Sequence, residues 1–378
     1  MLFPELRRVT AIGCFNPPDL KHLRAAASLT YLEDFMNRKT ALITAAGALG
    51  GLGAFLALRK TDEADLAGKV VLITGGSRGL GLQLAREFAS QGCAVAICAR
   101  DERELERARL DIARPGVRTG IFQCDVTDRE AVEKMIRDVT AEFGRIDILV
   151  NNAGVIQVGP IEAMNAQDFE ETMNVIFWGT VYPTLAVLPQ MRQRREGRIV
   201  NITSIGGKVS IPHLVPYSCA KFAAVAFSEG LRAEMAARGI HVTTVVPGLM
   251  RTGSHVNAEF KGRQAQEYAW FSLGAATPLI SMSAERAARS IVKATRRGDA
   301  EAILSVPAQV LAKLHGALPE VTMPVLEWVS RVVLPSSEAG ASGKIKGFEA
   351  EREVNSWIHR GITSMGRWAA RELNEMTS

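Results

Sequence analysis

Tyr217 and Lys221 lie four residues apart in Pro216-Tyr217-Ser218-Cys219-Ala220-Lys221, thirteen residues after Ser204. On a helix, positions i and i+4 share one face, with Cβ atoms about 5–6 Å apart. An ammonium at that range favours the phenolate, which predicts a Tyr217 pKa below the usual value of about 10. A phenol tuned in this way exchanges a proton with a substrate oxygen near neutral pH. Ser204 follows Gly197-Arg198-Ile199-Val200-Asn201-Ile202-Thr203, a run that reads as a strand entering a glycine-containing loop. Its hydroxyl could hold the same substrate oxygen. Taken alone, Tyr-x-x-x-Lys is also an ordinary solvated helix face, so the surrounding chain must decide.

Upstream, Lys69-Val70-Val71-Leu72-Ile73-Thr74 is an apolar, β-branched run of the kind that forms a buried parallel strand. It passes directly into Gly75-Gly76-Ser77-Arg78-Gly79-Leu80-Gly81 and then the helical pattern of Leu82 to Gln91. Strand, glycine-rich turn and helix are the context a dinucleotide fingerprint needs. The glycines allow a close backbone approach, and the helix N-terminus offers N–H groups to a pyrophosphate. The spacing is Gly75-x-x-x-Gly79-x-Gly81 rather than G-x-G-x-x-G. The next strand, Ala94 to Cys98, leads to Ala99-Arg100, where an NAD site normally places an acid. Arg100 and Arg78 would instead suit a 2′-phosphate, which guanidiniums grip bidentately, so NADP(H) is expected over NAD(H). The plainer alternative is that Arg100 and Asp101 only open a charged helix.

With these residues assembled, the chain resembles the short-chain dehydrogenase/reductase family from Leu66 to Val306. Thr74 to Gly81 is similar to the family's cofactor loop, and Asn151-Asn152-Ala153-Gly154 to its strand-four motif. Asp125, with Val126, is similar to the acid that the family places near the adenine ring. Pro247-Gly248 and Thr252 are similar to the segment at the nicotinamide end. Asn174, Ser204, Tyr217 and Lys221 resemble the catalytic tetrad in order and spacing. The resemblance implies a Rossmann-type, doubly wound parallel α/β sheet and interconversion of a carbonyl and a secondary alcohol. It implies Tyr217 as general acid in reduction and base in oxidation, and Lys221 as the hold on the nicotinamide ribose. Ser204 would position the substrate oxygen, and Asn174 would hold a water in a proton relay. Dimers or tetramers are common in the family. Reduction of a 3-oxoacyl thioester would share all these motifs, and a non-catalytic nucleotide-binding regulator is the remaining alternative.

Nearly half of the 378 residues are apolar, enough for one large α/β core with appendages. The net charge of +5 is dispersed, with no basic-aromatic stripe to suggest a nucleic-acid partner. Cys14, Cys93, Cys98, Cys124 and Cys219 lack paired metal spacing and the six histidines form no cluster, so no metal is expected. Strands are expected near 69–74, 94–98, 119–124, 146–150, 198–203, 240–246 and 301–305. Helices are expected over 79–91, 101–113, 128–143, 167–191, 216–238 and 284–297. Residues 253–283 interrupt this alternation and carry Phe260, Tyr268, Trp270, Phe271, Leu273 and Met282. Read as a pocket wall, they predict an apolar, lipid- or steroid-like substrate; read as core, they predict nothing about it.

Four segments result: 1–40 without a usable motif, 41–58, the catalytic domain 66–306, and a helical extension 307–378. Met36 offers an alternative start, which puts residues 1–35 in question. Ala41 to Leu58 is uncharged and flanked by Arg38-Lys39 and Arg59-Lys60. Its length is at the lower limit for crossing a bilayer, which predicts a membrane anchor with the catalytic domain facing the cytoplasm. A soluble cytoplasmic enzyme is the alternative. In the extension, Ala308 to Leu334 reads as apolar helix interrupted by Pro319 and Pro324, and Phe348 to Glu375 as one amphipathic helix. It could cover the substrate mouth, pack a dimer interface or touch a membrane.

Overall fold

Apolar runs without polar alternation are stable as strands only where both faces are covered. The strands of the central sheet, numbered along the chain, are β1 (Val70–Thr74), β2 (Ala94–Ala99), β3 (Thr119–Gln123), β4 (Ile148–Asn151), β5 (Gly197–Ile202), β6 (Ile240–Pro247) and β7 (Glu301–Leu304). A computed structural model describes residues 63–277, 280–336, 343–354 and 363–376. All seven strands are parallel, in the order β7-β6-β5-β4-β1-β2-β3. Every residue of β1 and β4 is buried, while the edge strands β3 and β7 are partly exposed.

Period-two alternation sends neighbouring strand residues to opposite cores. Val71 and Ile73 meet Leu84 and Phe88 of α1 (Gly79–Ser90), Leu105 of α2 (Glu102–Ile112) and Ile291 of α8 (Ala284–Arg297). Val70 and Leu72 meet Val132 and Ile136 of α3 (Arg129–Phe143), Val187 of α5 (Gly179–Arg194) and Leu231 of α6 (Val215–Met235). Asp101, Asp128 and Ser283 fix the starts of α2, α3 and α8 by accepting the N–H three residues on. Strand order reverses between β1 and β4, which opens a crevice at their C-terminal ends, the usual ligand position in such sheets.

A buried polar chain crosses the sheet. Asn151 Nδ2 donates to Thr184 Oγ1 (2.9 Å) and Asn201 Oδ1 (2.8 Å), and Asn201 Nδ2 donates to Ser228 Oγ (2.9 Å). Ser228 Oγ lies 2.7 Å from Thr244 Oγ1. The chain joins β4, β5 and β6 to α5 and α6.

Several expectations need correction. The helix expected over 167–191 is α4 (Ala166–Met173), then a π-helical turn at Asn174–Trp178, then α5. Residues 253–283 contain α7 (Gln264–Ala276), and Phe260 and Tyr268 are fully buried against Val158, Leu214 and Ala350. These two aromatics are core. The extension forms α9 (Val306–Ala317), α10 (Pro319–Val332), α11 (Gly347–Glu353) and α12 (Ser364–Glu372). The single helix expected from Phe348 to Glu375 is broken because Val354 is extended (φ −80°, ψ 93°). The membrane-anchored location is also corrected: among the described residues no helix is long and apolar enough to cross a membrane, and 41–58 lies outside them.

Asn201→Ala removes the middle of the buried polar chain and leaves Asn151 and Ser228 short of partners. The expected loss is about 1–3 kcal/mol of unfolding free energy in urea titrations. A loss under about 0.5 kcal/mol would show that the chain contributes nothing net.

Candidate active site

Two loops at the strand-order reversal are clasped together. Thr74 Oγ1, at the end of β1, accepts the N–H groups of Asn152 (3.0 Å) and Ala153 (3.1 Å). Asn152 Nδ2 returns two bonds, to Thr74 O and Gly75 O, both 3.0 Å. Gly75 is left-handed (φ 62°), and a Cβ there would meet Ala153 Cα at 2.9 Å. A Cβ at Gly81 would collide with the Gly75 carbonyl, so α1 starts hard against the turn. This cradle of backbone, at the N-terminus of α1, fits the pyrophosphate of the implied dinucleotide, with the first N–H of the helix, that of Gly79, held by Leu373 O (2.8 Å). Leu80 is buried in the adjoining core.

Around the cradle the remaining cofactor candidates are placed as follows. Ser77 is buried, and its Oγ donates to Glu104 Oε2 (3.0 Å). Arg78 is held by Glu104 (Nη1, 3.1 Å) and by Glu375 (Nε, 3.5 Å). Arg100 is exposed at the end of β2 and makes no ion pair among the described residues. Asp125 Oδ1 accepts from Thr127 N (2.9 Å) and Thr127 Oγ1 (2.8 Å), and Val126 packs against Gly179. Gly248 packs on Ser305 and Ala308, while Pro247 and Thr252 are buried.

The reactive cluster gathers Ser204, Tyr217 and Lys221. Ser204 follows β5 directly, and its Oγ accepts Gly206 N (3.0 Å). Tyr217 and Lys221 share a face of α6, with Nζ 5.7 Å from the phenol ring centre. Lys221 Nζ donates to Ile202 O on β5 (2.8 Å), and a Cβ at Gly154 would lie 3.9 Å from it. The ammonium thus ties α6 to β5 and faces the β4 loop. Burial lowers its pKa to about 8. The expected depression of the Tyr217 pKa is reversed: burial raises it, and only the hydrogen bond with Ser204 pulls it back. Lys221 aims at a carbonyl rather than at the phenol, and burial disfavours both charged forms.

Asn174 sits on the α4–α5 segment, which packs on the helix that carries Tyr217. It is exposed at the start of the π-helical turn, whereas Ile176 is 1% exposed and packs with Ala220, Ala224 and Tyr217. The i, i+4 series Thr172, Ile176, Thr180, Thr184, Leu188 is buried throughout, and Asn174 is half a turn out of phase with it. Glu104, Asn374 and Glu375 were missed; for the last two, nothing local connects residue 375 to a loop at residue 78. His213, four residues before Tyr217, is another: its Nδ1 lies 2.8 Å from buried Glu267 Oε1, and Trp270 Nε1 donates to Glu267 Oε2 (2.6 Å).

The Lys221 amine has a folded-state pKa of about 8 against an ordinary 10.5. Unfolding therefore takes up a proton between those values, and stability rises with pH across that window. At pH 7, Lys221→Met is expected to be more stable than the wild type by roughly 1–3 kcal/mol. Urea unfolding at several pH values should show the gap closing from pH 8 to 10.5. A constant gap would contradict the burial of a charged amine.

The short chain dehydrogenase family model matches residues 69–261. The chain is 39% identical to a dehydrogenase/reductase SDR family protein 7-like of Anopheles gambiae, covering 64% of this chain and 76% of that protein. It is 36% identical to 11-beta-hydroxysteroid dehydrogenase A of Sesamum indicum, covering 72% and 77%. With a fatty acyl-CoA reductase of Acinetobacter baylyi it shares 37% identity, over 50% of this chain and 64% of that protein. The crystal structure of a short-chain dehydrogenase from Streptomyces avermitilis aligns with TM-score 0.61 and 32% identity, over 70% of this chain and 98% of that one. The cradle, the Ser-Tyr-Lys cluster and these matches lead to one conclusion: the chain belongs to the short-chain dehydrogenase family and is an oxidoreductase that uses a nicotinamide dinucleotide on a small molecule.

Proposed function

We propose that the chain reduces an apolar carbonyl compound to its secondary alcohol with NADP(H), Tyr217 supplying the proton. The observation that carries this reading is the convergence of Ser204, Tyr217 and Lys221 beside Gly154, at the mouth of the strand-order reversal. The bound dinucleotide supplies the hydride. Gly75 to Gly81 would hold its pyrophosphate, Asn152 to Gly154 would flank it, and Lys221 would hold the nicotinamide ribose. Arg78 and Arg100 would take the 2′-phosphate. Ser204 Oγ accepts Gly206 N–H and shares a hydrogen bond with the Tyr217 phenol, so both hydroxyls face the point where a substrate oxygen would lie. A phenol raised by burial stays protonated at neutral pH, which suits donation to a carbonyl oxygen. Asn174, at the start of the π-helical turn, would hold the water of the proton relay.

One relative is named a fatty acyl-CoA reductase, which favours an acyl thioester as the substrate class without specifying a 3-oxo group. The relative named for a hydroxysteroid favours a ring ketone. Both names fit an apolar substrate. A panel of ring ketones, 3-oxoacyl thioesters and small charged carbonyls, followed by nicotinamide absorbance with NADPH and NADH, separates them. Preference for the small charged compounds would defeat both.

Tyr217→Phe is expected to lower kcat about 10²–10⁴-fold while leaving the cofactor Kd nearly unchanged. Retention of most of the turnover would refute the assignment. Replacing Arg78 and Arg100 together by Ala should weaken NADPH far more than NADH; equal weakening would mean that neither reads the 2′-phosphate.

A further inference from the structure

The C-terminal turn lies on the cofactor loop, some three hundred residues away in sequence. α12 ends in a left-handed Asn374 (φ 57°), and Glu375 N returns to Ala370 O (2.8 Å). Asn tolerates that conformation, and the turn delivers three consecutive residues to the glycine loop. Leu373 O accepts Gly79 N–H (2.8 Å). Asn374 Nδ2 donates to Ser77 O (2.9 Å) and Glu104 O (3.3 Å), and its Oδ1 accepts from Arg107 Nε (2.8 Å). The Glu375 carboxylate lies against Gly79, accepts from Asn257 Nδ2 (2.6 Å) and pairs with Arg78 Nε (3.5 Å). Glu104 takes another edge of the same guanidinium through Nη1 (3.1 Å).

Arg78 is thereby bracketed by two carboxylates. Burial pushes the Glu375 carboxyl up to about 7, with Arg78 and Asn257 pulling it down and Glu104 adding to the rise. Its pairing with Arg78 does not offset the cost of burying the charge, so the contact is one the molecule can exchange for a better one. A phosphate monoester brings a charge of about −1.5 to −2 at neutral pH and three acceptor oxygens. Such a group at Arg78 meets Glu375 as a like charge competing for the same planar donors. A ribose hydroxyl at that place makes no such demand.

We propose that Glu375 is a specificity-determining residue of the cofactor site: it competes with the 2′-phosphate of NADP(H) for Arg78 and so weakens NADP(H), relative to NAD(H), below what the loop alone would give. This rests on the assignment of Arg78 to the 2′-phosphate made above.

The test is direct binding to the full-length chain, read by nicotinamide fluorescence or calorimetry, without turnover. In Glu375→Gln the Kd for NADPH should fall about tenfold while that for NADH stays within about twofold, so the ratio of the two moves by close to 1.4 kcal/mol. Adenosine 2′,5′-bisphosphate, which carries the phosphate without the nicotinamide, should follow NADPH. Glu375→Ala, which removes the carboxylate without putting an amide in its place, should shift the ratio in the same direction and guards against a Gln variant that folds poorly. Normal NADPH binding with an unmoved ratio in both variants overturns the role of Glu375 and leaves the cofactor reading standing. Equal tightening of both cofactors overturns it as well, because the turn would then obstruct the loop without reading the phosphate. NADPH binding by none of the proteins refutes the cofactor reading itself, and this proposal with it.

Discussion

The whole site depends on one clasp between two strands that are neighbours in space and almost eighty residues apart in sequence. Thr74 at the end of β1 accepts two backbone N–H groups from the β4 loop, and Asn152 in that loop donates to two carbonyls of the β1 turn. Four polar groups that a diverging turn would leave unpaired are thereby satisfied, at the one place where the strand order reverses. The clasp holds the Gly75–Gly81 cradle beside Gly154, and Gly154 in turn faces Lys221. The glycine loop and the Ser204–Tyr217–Lys221 cluster are therefore joined through the β4 loop.

A second constraint is the burial of Lys221. An amine whose pKa burial lowers to about 8 is held at a cost to stability, and it is anchored by its hydrogen bond to the Ile202 carbonyl. The surrounding structure must over-determine its position. The chain Asn151–Asn201–Ser228–Thr244 does so by locking β4, β5, β6 and α6 together just beneath the cluster. Low-dielectric surroundings strengthen such a chain and also penalise any gap in it. Stability is spent to fix a geometry, which is the pattern expected of a site that orients a phenol and a hydride donor.

Much of this was legible in the sequence, because the relevant signals are local. A β-branched run, a glycine turn and a helix that follow one another declare their own geometry, and Tyr217 and Lys221 share a face by helix periodicity alone. What was not legible depended on contacts distant in the chain. The π-helical turn at Asn174–Trp178 was not foreseen within the helix expected over 167–191. The fall in the Tyr217 pKa was expected from a charge four residues away. Burial outweighs that charge, and burial is a property of the assembled fold. Phe260 and Tyr268 were ambiguous between wall and core until their packing against Val158 and Ala350 placed them in the core. No periodicity could have brought Glu375 to Arg78.

The central claim is that the proton reaching the substrate oxygen leaves Tyr217. Its most direct test is the pH dependence of hydride transfer in single turnovers at saturating reduced cofactor, compared between the wild type and Tyr217→Phe. The account predicts that the wild-type rate falls as the phenol ionises at high pH, and that the residual rate of Tyr217→Phe is flat over the same range. The same falling limb in both proteins would place the proton on another group and contradict the account.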